Sequence, residues 1–191
     1  MFINSTAVIF AGGKSSRMGE DKSLLPFGKF ESMSEYQYHK LSQIFADVYI
    51  SCKNNKFDFD APLILDSYSQ SSPLVGLISI FETLDVEEVF ILSVDAPFVD
   101  IDIIKKLVHS PNHYDATIAK TPNGTQPLCG IYRRSILSKA KELLAQDNHK
   151  LNFLLKSTNT MFVEFKSDEQ FMNLNHPHEY KKAFKQYTYH Y

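Results

Sequence analysis

Glycine is scarce in this chain, with seven residues in 191, where an ordinary share of about 7 % would supply about 13. Cysteine is scarcer: Cys52 and Cys129 form no CxxC or zinc pattern, and two isolated thiols suit a reducing compartment. No apolar run approaches the roughly 18 residues of a membrane span, and Met1-Phe2-Ile3-Asn4-Ser5 does not read as a secretory leader. Neither charge is in large excess. A formal net charge of −2 argues against a general nucleic-acid binder. These absences leave the expectation of a soluble cytoplasmic protein with no nucleic-acid and no membrane partner.

What is present suffices for a core. Hydrophobic residues make up 43 % and charged residues 22 %, the balance of a folded chain, and at roughly 150 residues per domain the expectation is a single domain, 1–191. Short β-branched and aromatic runs alternate with helical periodicity. Strands are predicted at Thr6–Phe10, Asp47–Cys52, Pro62–Leu65, Val89–Val94, Asp115–Ala119, Leu128–Arg133 and Met161–Phe165. Helices are predicted at Ser34–Phe45, Ser72–Leu84, Asp100–His109, around Ile136–Leu144 and at His176–Tyr187. Thr6–Phe10 reads as a continuously apolar run and Val89–Val94 is the most apolar segment, as central parallel strands are. The alternation predicts a three-layer α/β/α domain with a mostly parallel central sheet, in which ligands sit beyond the carboxyl ends of the strands.

The few glycines are not evenly spread. Gly12, Gly13 and Gly19 fall within eight residues just after the first predicted strand, in Ala11-Gly12-Gly13-Lys14-Ser15-Ser16-Arg17-Met18-Gly19-Glu20-Asp21-Lys22. A Walker A loop aligned on Gly13-Lys14 would require a glycine at Val8, and a dinucleotide fingerprint would require one at Lys14, so neither motif is present. The stretch still suits phosphate. Small residues let a ligand approach backbone N–H groups, and Lys14, Arg17, Lys22 and Lys29 outnumber Glu20 and Asp21. Residues alone leave open a solvated strand-to-helix loop or an anion-binding loop.

Phe10–Lys22, FAGGKSSRMGEDK, closely resembles the LAGGxSxRMGxDK motif of the molybdenum cofactor guanylyltransferases, Mg-dependent nucleotidyltransferases with a Rossmann-like fold. Related cytidylyl and sugar-nucleotide branches more often read A-A-G where this chain has Ala11-Gly12-Gly13. Phe10 replaces the usual leucine. The resemblance implies that the backbone of Phe10, Ala11, Gly12 and Gly13 frames the nucleotide, that Lys22 contacts its phosphates and that Arg17 contacts the triphosphate.

Asp95 closes the most apolar strand ahead of Ala96-Pro97, where an aspartate either forms the turn or holds a cation. Ser93–Phe98, SVDAPF, resembles the family's C-D-x-P-[FY] motif, whose aspartate binds Mg²⁺, with Val94 at the cysteine position. Asp66, at the end of the third strand, reads on its own as a loop or cap residue. Asp66-Ser67 followed by Pro73-Leu74-Val75-Gly76 is similar to the family's D-S…G-P-L-x-G segment, which implies a place in the nucleotide site, with Ser72 replacing the first glycine. Ser51 stands where the family often carries asparagine. It is carried over to the nucleotide site with a hydroxyl in place of the amide.

Two later segments also match. Gln126-Pro127-Leu128-Cys129-Gly130-Ile131-Tyr132 is similar to the family's [HQ]-P-[LT]-x-[AG]-[LI]-[YF] strand near the acceptor, and Cys129 there reads as a packed small residue rather than a nucleophile. Asn173-Leu174-Asn175-His176-Pro177 resembles the N-x-N-T-P element bordering the acceptor and metal. His176 and His178 read as an exposed helix start rather than a metal pair.

Spanning Thr6 to Ala183, the resemblance implies transfer of GMP from GTP to the phosphate of Mo-molybdopterin with release of pyrophosphate. It implies Arg17, Lys22 and Asp95 as catalytic, with Mg²⁺ on Asp95. It implies Phe10–Gly13, Lys22, Ser51, Asp66 and Asp95 around the nucleotide, and Gln126, Pro127, Asn173 and Asn175 around the acceptor. Residues about 6–110 would form the nucleotide half and about 111–191 the acceptor half. GTP and molybdenum cofactor would be substrates. Transient complexes with cofactor-synthesis proteins, apo-molybdoenzymes or their chaperones would follow from a labile product. The rivals are a cytidylyl- or sugar-phosphate nucleotidyltransferase of the same fold and a non-catalytic nucleotide-binding regulator.

Overall fold

The computed structural model describes residues 3–12 and 19–188, apart from the side chains of residues 4 and 186–188. Seven strands form one sheet: β1 (Ile3–Phe10), β2 (Phe45–Cys52), β3 (Leu63–Leu65), β4 (Glu88–Ser93), β5 (Ala116–Thr121), β6 (Gly124–Arg133) and β7 (Thr160–Glu164). Their order is β3-β2-β1-β4-β6-β5-β7. Among the described residues only β6 opposes its neighbours, running antiparallel to β4 and β5, so the sheet is mostly parallel.

Helices cover both faces, and the sequence shows why. Side chains alternate across a strand, and every residue from Ala7 to Phe10 is apolar and buried. Ala7 and Ile9, with Phe90 and Leu92 of β4, join the cluster under α1 (Met33–Ser42), α3 (Ile101–Val108) and α6 (Pro177–Thr188). Val8 and Phe10, with Val89 and Ile91, join the cluster under α2 (Pro73–Thr83), α4 (Leu137–Ala145) and α5 (Leu151–Lys156). The helix starts are chemically marked. Ser32, Ser72 and Asp100 accept from the backbone N–H three residues on, and Pro73 occupies the first turn of α2, where its missing donor costs nothing.

Three details depart from the sequence expectations. Phe45 opens β2 instead of closing α1, because its ring stacks on Phe90 at 5.3 Å in the sheet core. β5 and β6 form a hairpin through Pro122-Asn123, so β6 starts at Gly124 rather than Leu128. α5 is an additional short helix, whose Leu151, Leu154 and Leu155 face the core. Within the hairpin, Gly130 lies beside a register shift between Ile118 and Ala119, and a Cβ on it would sit 2.4 Å from Thr117 O. Any side chain there collides with backbone.

Candidate active site

β1 lies between β2 and β4, so consecutive parallel strands leave it in both directions. At such a switch point the carboxyl ends diverge and leave a crevice for a ligand. Phe10 pairs with Ser51 on one side and Ser93 on the other. Beyond the ladder, Ala11 N donates to Ser51 O at 2.9 Å and Val94 N donates to Phe10 O at 3.0 Å. The backbone from Phe10 to Gly12 is thereby held between its two neighbours. The Phe10 ring turns away under α2, where a Cβ on Gly76 would lie 2.8 Å from its Cε1 and 3.3 Å from Ser51 Oγ. Gly76 thus makes room for the larger residue at position 10. Phe10 and Ser51 are both buried, and their main chain borders the crevice. Gly12 is exposed.

The crevice floor is charged. Lys22, in a 3-10 turn at Lys22–Leu24 capped by Asp21, places Nζ 2.6 Å from Asp95 Oδ2 and 2.8 Å from Asn175 Oδ1. Ser93 Oγ donates to Asp95 Oδ1 at 2.6 Å, and Leu174 N donates to Asp95 O at 2.9 Å. The Lys22 and Asp95 side chains are 15 % and 13 % exposed, open to a ligand yet shielded from bulk water. Together with Phe10–Gly12, Asp21, Ser23, Val94 and Leu128 they line a cavity of about 170 Å³.

Asp21 and Lys56 brace this floor. Lys56 Nζ donates to Ala11 O at 3.1 Å and to Asp21 Oδ2 at 2.5 Å. Burial opposes ionisation of Asp21, but the Lys56 ammonium and the Ser23 donors outweigh it and hold the carboxyl below its ordinary range. Lys56 was not singled out by sequence. It stands in a polar run, Lys53-Asn54-Asn55-Lys56, that carries no periodicity or motif.

A second cavity, of about 390 Å³, shares Ser93 and Leu128 with the first. Gln126, Pro127 and Asn173 line it, as do Cys129, His149, Lys150 and Asn152. Burial pushes the Cys129 thiol up to about 12, which removes it as a nucleophile near neutral pH. His149, also unmarked in the sequence, bridges Ser72 Oγ and Asp147 Oδ1 at 3.0 Å each.

Lys22, Asp95 and the Phe10–Gly12 backbone therefore converge on one cavity, and Gln126, Pro127 and Asn173 on the adjoining one, while Asn175 lines neither and joins the first through Lys22. Asp66 sits apart, two strands from β1 at the carboxyl end of β3, with its N–H donating to Cys52 O at 3.1 Å. Burial raises its carboxyl above the ordinary range, with Lys53 opposing. Gly13 and Arg17 lie outside the described residues. His176 and His178 stack at 5.6 Å, and Glu179 accepts from the N–H groups of Asn175 and His176 at 2.8 Å each.

Among the described residues no three His, Cys, Asp or Glu side chains gather as a metal cage. A single carboxylate facing an open cavity suits Mg²⁺, which keeps waters and takes other ligands from phosphate. Asp95 Oδ2 is paired with the Lys22 ammonium at 2.6 Å. No helix among the described residues is long and apolar enough to cross a membrane.

A family model described as the MobA-like NTP transferase domain matches residues 7–161. The chain is 42 % identical over 178 residues to the molybdenum cofactor guanylyltransferase of Campylobacter jejuni subsp. doylei, covering 92 % of this chain and 93 % of that one. It is 34 % identical over 186 residues to the protein of the same name in Helicobacter pylori strain P12, covering 94 % and 92 %. The solved structure of molybdopterin-guanine dinucleotide biosynthesis protein A from Archaeoglobus fulgidus superposes with a TM-score of 0.80 over 95 % of this chain and 97 % of that one. At 19 % identity that likeness speaks for the fold.

Proposed function

The chain belongs to the MobA-like NTP transferase family, and from that premise we propose that it transfers GMP from GTP to the phosphate of Mo-molybdopterin, releasing pyrophosphate. The observation that carries this reading is the convergence of Lys22 and Asp95 at 2.6 Å, from positions 73 residues apart, at the carboxyl ends of β1 and β4. The adjoining cavity, lined by Gln126, Pro127 and Asn173, supplies room for a second substrate beside the first.

The chemistry asks little of the protein beyond alignment and charge neutralisation. An oxygen of the acceptor phosphate attacks the α-phosphorus of GTP. The bond from that phosphorus to the oxygen bridging the β-phosphate breaks, and pyrophosphate carries away the electron pair. The acceptor is already anionic, so no general base and no covalent enzyme intermediate are required. The Phe10–Gly12 backbone allows close approach of the nucleotide. Lys22 offsets negative charge on the phosphates, and Arg17 of the same loop is assigned a second such charge. Asp95 would hold Mg²⁺, which when bound supplies charge neutralisation between the phosphates. Ser51 and Asp66 are assigned to the nucleoside side by the family motifs, Asp66 from its place apart at the end of β3, and Asn175 accepts from Lys22 beside the cavity. Handing the dinucleotide to an apo-molybdoenzyme or its chaperone in the cytoplasm belongs to the same reading.

The test is pyrophosphate release by purified protein given Mo-molybdopterin, Mg²⁺ and each of GTP, CTP, UTP and ATP. Release with GTP, dependent on both Mg²⁺ and acceptor, is the expected result. Preference for CTP would replace guanylyl by cytidylyl transfer. Nucleotide binding without pyrophosphate release would identify a regulator.

A further inference from the structure

Asp95 is carried by Val94–Asp100, the irregular segment between β4 and α3, and one face of α1 lies behind that segment. Tyr36, Gln37 and Lys40 share this face, at the i, i+1, i+4 spacing of a helix. Gln37 Nε2 lies 3.0 Å from Ala96 O, 3.3 Å from Ser93 O and 3.4 Å from Val94 O. Lys40 Nζ donates to Pro97 O at 3.1 Å and to Val99 O at 3.0 Å, and Tyr36 OH donates to Pro97 O at 3.3 Å. Carbonyls on both sides of Asp95 are thus collected by donors from one helix. A segment with irregular backbone has carbonyls that no ladder satisfies, and buried ones must find partners.

The way these donors are built is costly for stability alone. Gln37 is fully buried, and its Oε1 has no hydrogen-bond partner among the described residues. A buried amide with an orphaned acceptor is a less stable filling than an apolar side chain of the same shape. Lys40 brings its amino group into the same packed face, 5.3 Å from the Tyr36 ring centroid, where burial disfavours the charged form. The contacts on the opposite side of Asp95, from Lys22 and Ser93, lie in the crevice. The contacts from α1 lie behind the segment, on the side away from that crevice.

We propose that Gln37 and Lys40 are positioning residues that hold the Asp95-bearing segment in the orientation needed for cation and nucleotide binding. This rests on the reading of the crevice as a nucleotidyl-transfer site. Groups that orient a metal-binding carboxylate from outside typically matter by about 10–100-fold in metal affinity or activity.

Gln37→Met keeps the volume and removes the donors. Lys40→Met removes the amino donors to Pro97 O and Val99 O, and Lys40→Arg keeps two donors for the two carbonyls. Three readouts apply: Mn²⁺ binding in the presence of a non-hydrolysable GTP analogue, followed by electron paramagnetic resonance; amide exchange over residues 94–99; and steady-state kinetics. The expected result is cooperative melting of Q37M with Mn²⁺ affinity about tenfold weaker or more, faster exchange over 94–99, and a loss in kcat exceeding the change in KM for GTP. K40M should show the same pattern and K40R should largely restore wild-type behaviour. If Q37M fails to fold, the contrast between K40M and K40R decides. Affinity and turnover within twofold of wild type, with only the melting temperature lowered, would reduce this face to ordinary packing and overturn the proposal. Wild-type protein that binds no Mn²⁺ with the analogue would instead overturn the nucleotidyl-transfer reading, and the proposal with it.

Discussion

Replacing Asp95 with asparagine should separate chemistry from folding. Asparagine keeps the shape of the side chain, so Lys22 Nζ at 2.6 Å and Ser93 Oγ at 2.6 Å can both still be satisfied, the hydroxyl by rotating to accept from the new amide. What is lost is the difference between charge-assisted and neutral hydrogen bonds, about 1–2 kcal/mol for the two together. Lys22 keeps Asn175 Oδ1 at 2.8 Å, which limits the penalty for leaving it without its anion. For a chain of this length that corresponds to a melting temperature lower by about 2–8 °C. Turnover should fall much further. Removing one preorganised electrostatic group from a reaction centre costs about 10²–10³ in kcat, or about 2.7–4 kcal/mol. Calorimetry and pyrophosphate release on the same preparation make the comparison. Turnover within tenfold of wild type, in a folded D95N protein, would refute the assignment of the cation to Asp95.

Three further outcomes follow from the same geometry. Gly130→Ala would force its Cβ to within 2.4 Å of Thr117 O, so backbone must move; a loss of about 2–3 kcal/mol is expected, read as a lower urea midpoint at unchanged slope. Lys56→Met releases Ala11 O and the Asp21 carboxylate, and GTP affinity by calorimetry should weaken about fivefold, or ~1 kcal/mol, since the pair is partly exposed. Burial pushes the Lys40 ammonium down to about 7, with Cys129 and Asp100 opposing. Above that pH the folded chain carries a neutral amine, whose two N–H groups still serve two carbonyls, while the unfolded chain stays protonated to near 10.4. The unfolded state then binds more protons, so this group makes stability rise from about pH 7 to 10, by at most about 1.4 kcal/mol per pH unit. K40M should flatten that rise in urea titrations, and an unaltered slope would contradict the assignment.

Legibility in the sequence tracked how locally each feature is encoded. Lys22 and Asp95 lie in contiguous motifs tied to strand ends, so both residue type and place in the fold could be read. The central strands were equally plain, because burial on two faces requires an unbroken apolar run such as Ala7–Phe10. Phe45 was misplaced because a lone aromatic fits the end of a helical stripe as well as the start of a strand, and its stacking on Phe90 chooses between them. The β5–β6 hairpin extends through Lys120–Gln126, whose polar side chains mask the strand period. α5 is too short for its own periodicity to identify it.

The supporting residues were out of reach for another reason. Lys56 meets Asp21 across 35 positions, Gln37 meets Ala96 across 59, and Tyr36 meets Pro97 across 61. Each pairs a side chain with a distant backbone oxygen or carboxylate, and backbone carbonyls are the same at every position. Nothing in the pattern of residue types marks which carbonyl a given lysine or glutamine will find. The chain's own order of residues was enough for the alternation of strands and helices, the scarce glycines gathered after β1, and the two charged groups at the strand ends, since all of these follow from local chemistry and period. That Lys22 and Asp95 meet, that Gly76 makes room for Phe10, and that α1 braces the segment behind Asp95 depended on folding, which alone brings groups remote in sequence within hydrogen-bonding distance.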